Sequence, residues 1–263
     1  MYRALIGLAA VFAVTSYYFK KQISELKINN ITIKNKKIDK TFKILQLSDF
    51  HSNPHLDIDE LESIVDEIDP DLAVLTGDMA EQNLLPVEKL IKMLTKKQFP
   101  KYMILGNHEE EQKHLENYLK IIEESDIIYL DNKVETIEIN GNSINIIGLE
   151  HENPQLSKLR TSFDNDKFNL ILSHAPNTIL NMVTNDDDLV LSGHTHGGQV
   201  RLPLIGAIYV PNQFPIPRYI KGLYELETGT KLYVDSGMGT SRLPLRALNP
   251  VQISVITIQN DRQ

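Results

Sequence analysis

The sequence predicts an α/β fold built around a parallel sheet, and three observations predict it. Short apolar runs bounded by turn residues recur along the chain, and in the first half each is followed by a segment with helical apolar spacing. The 263 residues are 41% hydrophobic and 24% charged with no linker-like stretch, so the chain suits one large core. Polar residues gather at the carboxyl ends of the apolar runs, which is where open α/β sheets place their sites.

The first element is N-terminal. The uncharged run "ALIGLAAVFAVTSYYF" from Ala4 to Phe19, with Arg3 before it and Lys20-Lys21 after it, predicts a short helix. Residues 1–22 are expected to form a single-pass membrane anchor or an uncleaved signal, with a cleaved export signal or a buried first helix as alternatives. The run falls slightly short of the roughly 20 apolar residues that span a bilayer. The residues after the run make a poor cleavage site, and Tyr17 and Tyr18 ahead of the lysines suit an interfacial belt. Lys20, Lys21 and Lys27 weigh toward a cytoplasmic catalytic part without fixing the side.

The main domain is expected over residues 41–260. "FKILQLSD" (Phe42 to Asp49) reads as a buried strand, and "IDELESIVDEI" places Leu61, Ile64, Val65 and Ile68 on one helical face. "DLAVLTGD" is followed by "LLPVEKLIKMLTKK", and "KYMILGNHE" by "EQKHLENYLKIIEES". This βαβ rhythm calls for parallel strands with helices on the sheet faces. From Val134, "VETIEINGNSINIIGLE" reads as a hairpin turning at Asn140-Gly141-Asn142. "FNLILSH", "DLVLSGH", "LYVDSG" and "VQISVITI" are further strands.

A formal net charge of −8 argues against a nucleic-acid surface, which leaves a basic excess. The chain has no cysteine, so disulfides, thiolate nucleophiles and zinc–thiolate sites are excluded. No oligomeric state follows from the sequence.

Of the eight histidines, His51, His108, His174, His194 and His196 fall at strand ends with Asp49, Asp78 and Asn107, while His55, His114 and His151 do not. In "SGHTHGGQ", His194 and His196 point the same way if the backbone is extended, and Thr195 points the other. The alternative is a polar loop with two surface histidines. Imidazole mixed with carboxylate and amide oxygen suits Mn, Fe or Zn better than Ca or Mg. The ligands are too many for one ion. Two divalent ions carry four positive charges against the two of Asp49 and Asp78, leaving a positive pit suited to phosphate. Paired ions also lower the pKa of a bound water, giving a hydroxide for in-line attack.

"SDFH", "TGDM", "LGNHE", "LSHAP" and "SGHTHGG", in this order, resemble the calcineurin-like metallophosphoesterases, whose pattern is D-x-H, G-D, G-N-H-[D/E], H and G-H-x-H. The tail "LYVDSGMGTSRLPLRALNPVQISVITI" is similar to the membrane-associated bacterial branch, which includes pyrophosphatases acting on UDP-diacylglucosamine. The resemblance implies a four-layer αββα sandwich and two divalent transition metal ions bridged by hydroxide. It implies that Asp49, His51, Asp78 and His196 hold the first ion. Asp78 then bridges to a second completed by Asn107, His174 and His194. His108 is implied to meet the phosphate and protonate the leaving oxygen, with Glu109 as its partner.

The expected function is therefore metal-dependent hydrolysis of a phosphodiester or pyrophosphate, attractive as a lipid-linked substrate. A soluble nucleotide phosphodiesterase, a general phosphatase and a non-catalytic scaffold of the same fold are the alternatives. Arg201, Arg242 and Arg246 are candidates for gripping an outer phosphate, or plain surface arginines. The apolar stretch from Arg201 to Ile220 is either a lipid ramp or ordinary loop packing, and Gly198 and Gln199 could shape the pocket mouth.

Overall fold

The computed structural model describes residues 2–111, 113–210, 216–241 and 244–261. The chain begins with α1 (Tyr2–Ser24) and β1 (Lys27–Asn35), then β2 (Phe42–Leu47), α2 (Ile58–Ile68), β3 (Leu72–Thr76), α3 (Leu85–Thr95) and β4 (Lys101–Ile104). It continues through α4 (Asn107–Glu110), α5 (Leu115–Glu123), β5 (Ile128–Tyr129), β6 (Lys133–Ile139), β7 (Asn142–Gly148), α6 (Leu156–Leu159), β8 (Phe168–Leu172) and α7 (Pro176–Ile179). The last elements are β9 (Leu189–Ser192), β10 (Val200–Leu202), β11 (Gly206–Tyr209), β12 (Gly222–Glu225), β13 (Lys231–Val234) and β14 (Gln252–Asn260).

Two six-stranded sheets result, in the orders β1-β14-β2-β3-β4-β5 and β12-β13-β9-β8-β7-β6, with β10-β11 as a separate hairpin. β2 to β5 are mutually parallel, as are β7, β8, β9 and β13. Alternation sorts their side chains. Ile44, Leu72, Val74 and Ile104 of one sheet meet Ile144, Ile146, Phe168, Leu170 and Leu191 of the other in a central core. Leu45, Ala73, Leu75 and Met103 face the opposite way and pack under Leu61, Val65, Leu90 and Tyr118 of the α2, α3 and α5 layer. Ile147, Ile171 and Val190 do the same beneath Leu156 and Ile179 of α6 and α7. Helix, sheet, sheet and helix therefore stack as the expected four-layer sandwich. The β6-β7 turn is also as expected, with Asn140 and Gly141 at φ 53° and 83°.

Two features depart from expectation. β1 precedes residue 41 and forms an edge strand, parallel to β14 from Lys27 to Asn35. The N-terminal helix is present, yet among the described residues no helix is long and apolar enough to cross a membrane, so the single-span anchor finds no support. Gly7, Thr15, Ser16 and two tyrosines dilute the run, and Lys20-Lys21 ends it. The end of α1 is instead tied to the sandwich. Asn53 Nδ2 donates to Ile23 O at 2.9 Å, Leu248 N to Tyr18 Oη at 2.9 Å and Val251 N to Gln22 O at 3.0 Å.

Candidate metal centre

Every proposed ligand leaves the sandwich at one end, where β2, β3, β4, β8 and β9 finish. Backbone bonds lace these loops together: Asp49 N to Gly77 O, His51 N to Asp78 O and Gly193 N to His174 O, each about 3 Å long. Asp49, His51, Asp78, His194 and His196 all adopt left-handed backbone, with φ between 48° and 69°. Asp and His tolerate that region better than bulky or branched residues, and such outliers cluster at functional sites. Gly106 and Gly193 permit the close approach, since a Cβ on either would strike the carboxylate of Asp78 or Asp49.

The proposed ligands converge in two groups, and a third cluster joins His51 to Glu81 and His108. In the first, His51 Nε2 lies 3.1 Å from His196 Nε2, which lies 3.7 Å from Asp49 Oδ1. In the second, His194 Nδ1 lies 3.2 Å from His174 Nε2, which lies 3.3 Å from Asp78 Oδ2. Asp78 Oδ2 also lies 3.6 Å from His51 Nε2, so one carboxylate reaches both groups. The left-handed backbone corrects the reading of "SGHTHGGQ". His194 and His196 do not share a face; each serves a different group.

These residues fit a pair of divalent cations. Glu81 Oε1 accepts from His51 Nδ1 at 2.9 Å and Thr76 O from His174 Nδ1 at 2.8 Å, which leaves the Nε2 lone pairs facing inward. Two nitrogens about 2.1 Å from one cation at roughly a right angle sit about 3 Å apart, as both His–His pairs do. Asn107 Oδ1 is buried without a hydrogen-bond partner. Burial keeps His194 neutral, down to about 3, and holds His196 well below the ordinary imidazole value. Burial also opposes charge on His174, but Asp78 overrides it and lifts that imidazole to about 10, a sign of how strongly this spot favours a positive charge.

A family model for calcineurin-like phosphoesterases matches residues 42–198, from β2 through the His194–Gly198 loop. The chain belongs to that family. The phosphoesterase is 31% identical over 231 residues to the uncharacterized metallophosphoesterase YkuE of Bacillus subtilis (strain 168), covering 83% of this chain and 79% of that one. It is 28% identical to the uncharacterized metallophosphoesterase Cj0846 of Campylobacter jejuni, covering 98% of this chain and 70% of that one. Among solved structures, NAD nucleotidase of Haemophilus influenzae superposes with a TM-score of 0.54 at 18% identity, over 76% of this chain. That likeness is one of fold, and the phosphoesterase spans 46% of the nucleotidase's length. Members of the family are divalent-metal phosphoester hydrolases, and the clusters of this phosphoesterase agree with that chemistry.

His108 stands beside the first group, its ring 4.6 Å from that of His51. Its partner is not Glu109. The Glu109 carboxylate is buried and accepts backbone N–H groups from Asp78, Met79, Ala80 and Gly106, so it fastens the β3 loop to the β4 loop. Glu81 Oε1 takes the role instead, 2.8 Å from His108 Nδ1. Burial pushes Glu81 up, but bonds to His108 and His51 outweigh it and hold the carboxyl at about 2. The same bond raises His108 above the ordinary imidazole value against its own desolvation. Glu81 thus steers a candidate ligand and a candidate acid at once. Glu81→Gln should lower the hydrolysis rate and weaken cation affinity by about 10–100-fold. Cation titration with steady-state rates checks this, and an unchanged variant would remove Glu81 from both roles.

The arginines also depart from their expected places. Arg246 is fully buried, donating to the carbonyls of Gly239, Ser236 and Asn249, with Nη2 3.4 Å from His196 Nδ1. It supports the His196 loop from behind. Arg201 Nη1 donates to Gly197 O at 2.6 Å, also bracing that loop. Arg242 lies outside the described residues. Gln199 is buried and bonds Leu245 O and Ser241 Oγ, so it too is loop structure, while Gly198 packs on Ala207.

Proposed function

We propose that this chain hydrolyses phosphodiesters or pyrophosphates at two divalent transition cations, Mn, Fe or Zn. Asp49, His51, Asp78 and His196 would hold the first, and Asp78, Asn107, His174 and His194 the second. The reading rests on Asp78, a single carboxylate within 3.6 Å of an imidazole of each group. When bound, the cations polarise the phosphoryl oxygens and lower the pKa of a water. Asp49 and Asp78 offset only part of the four positive charges, which draws the phosphate in. His108, whose pKa the Glu81 bond raises, donates to the departing oxygen. A cleft of about 440 Å³ opens on the His108 side, lined by His51, Glu81, Gln82, Glu111, Thr240 and Ser241. It gives an organic leaving group a place to sit.

A lipid-linked substrate is supported by the surface next to the His196 loop. The β10-β11 hairpin exposes Leu202, Leu204, Ile205, Ile208 and Tyr209, and α1 exposes Leu8, Val11, Phe12 and Tyr17. Leu248, itself exposed and bonded to Tyr18, lies between them in the chain's packing, because Ala247 bridges Val200. Apolar patches of this kind mark interaction sites, and the arrangement suits a protein lying on a lipid surface rather than crossing it. The deciding experiment is a hydrolysis panel on the Mn²⁺-reconstituted full chain. It compares an aryl monoester, an aryl diester, a nucleotide diester and a lipid pyrophosphate in mixed micelles. Diester and pyrophosphate should be favoured over monoester, and Leu204→Asp with Ile205→Asp should slow only the lipid substrate. No turnover of any ester at full cation occupancy means a scaffold; a preference for the nucleotide or the monoester returns the alternatives.

A further inference from the structure

Two buried polar atoms beside the centre remain unexplained by the cation ligands. His151 Nδ1 and Glu110 Oε2 are both buried without a hydrogen-bond partner. Native structures rarely leave such atoms unpaired, and of the two only the imidazole nitrogen can donate to an anion, so His151 Nδ1 is the one that points to a ligand. Both belong to loops around the second group. Glu110 ends the helix that begins with Asn107, and His151 comes after β7. Glu110 Oε1 accepts the backbone N–H of His151 at 3.2 Å, joining the two loops. Asn132 anchors the β7 loop from the other side, with Nδ2 2.9 Å from Glu150 Oε2 and Oδ1 accepting from Gln155 N at 2.9 Å.

The ring of His151 lies 5.3 Å from that of His174 and 5.8 Å from that of His194, centroid to centroid. It therefore contacts both imidazoles of the second group, yet its nitrogens stand outside the set of converging ligand atoms. His108 holds the corresponding place beside the first group, against His51. The centre is thus flanked by two histidines outside the proposed ligand sets, one on each side, and of these only His108 converges on a carboxylate, Glu81.

We infer that His151 is a substrate-binding residue whose imidazole N–H donates to a phosphoryl oxygen seated over the second group, with Glu110 as the residue that positions its loop. This rests on the proposed phosphoester-hydrolase activity. His108 serves the leaving oxygen, and His151 grips the phosphoryl group that stays behind.

The test uses the Mn²⁺-loaded full chain with inorganic phosphate as the probe, measured by calorimetry, alongside cation content and circular dichroism. His151→Ala should keep two cations per chain and the native spectrum while weakening phosphate binding about tenfold or more. His151→Gln, which restores an N–H donor, should recover part of that loss, and Glu110→Gln should fall between the two. With an aryl diester, KM should rise more than kcat falls. Unchanged phosphate affinity in His151→Ala overturns the assignment. So does loss of a cation, which would make His151 a metal ligand, and so does full recovery by His151→Phe, which would leave it a packing role only. A wild-type chain that binds no cation pair overturns the hydrolase reading itself, and this assignment with it.

Discussion

Asp78→Asn is expected to strip cations from both groups, leaving less than one per chain after reconstitution, and to reduce hydrolysis by about 10³-fold or more. Asp78 Oδ2 is the carboxylate oxygen within reach of both His51 and His174. The amide removes one of the two charges that balance the cation pair and can turn an N–H toward it. Losing the several kcal/mol that paired cations supply to transition-state charge corresponds to that factor at 1.36 kcal/mol per tenfold. Asp78 Oδ1 also accepts the backbone N–H of His108 at 2.9 Å, a bond the amide oxygen can keep, so His108 should stay in place. His174→Ala should empty the second group alone. Metal analysis of the two purified variants distinguishes them, and an Asp78→Asn protein with full occupancy and rate would sink the bridging assignment.

His108→Ala should show the opposite pattern, with both cations retained and the rate down by about 10²–10⁴-fold, the range for a lost general acid. His108 lies outside the two groups that would hold the proposed ions and clusters instead with His51 and Glu81, its Nδ1 2.8 Å from Glu81 Oε1. The loss should depend on the leaving group. An activated aryl ester needs little protonation and should suffer least, whereas an alkyl diester should suffer most. Rates measured across a leaving-group series check this; equal losses throughout would leave His108 only a phosphate contact.

Much of this architecture is legible in the chain itself. Each βα step in the first half announces a parallel strand with its covering helix, and the polar residues name the end at which the site forms. Pairing across space is not legible in the same way. Glu109 adjoins His108 in sequence, but neighbours on a helix point about 100° apart, so adjacency predicts the wrong partner. Glu81 sits in "AEQN", a stretch with no periodicity, and only the fold carries it to His51 and His108. His151 escapes the strand-end pattern because the sequence reads β7 only as the closing strand of a hairpin, whereas β7 also crosses through α6 to lie parallel to β8, which brings its end beside His174. Arg246 reads as a surface residue since nothing local signals that Gly239, Ser236 and Asn249 will wrap it. The left-handed turn at His194 and His196 inverts a face assignment that an extended backbone would have made correct.

The five left-handed ligands have a bearing on how this protein tolerates change. At about 1 kcal/mol each, they subtract on the order of 5 kcal/mol from a fold whose net stability is typically about 5–15 kcal/mol. The working end of the molecule is thus held in shape by the cores behind it. A core substitution far from any histidine, such as Leu170→Ala between the sheets, erodes the same margin that keeps the ligand loops strained. Sequence drift in the interior is accordingly coupled to activity through stability alone, and the lineage can vary its surface more freely than the buried residues beneath its catalytic loops.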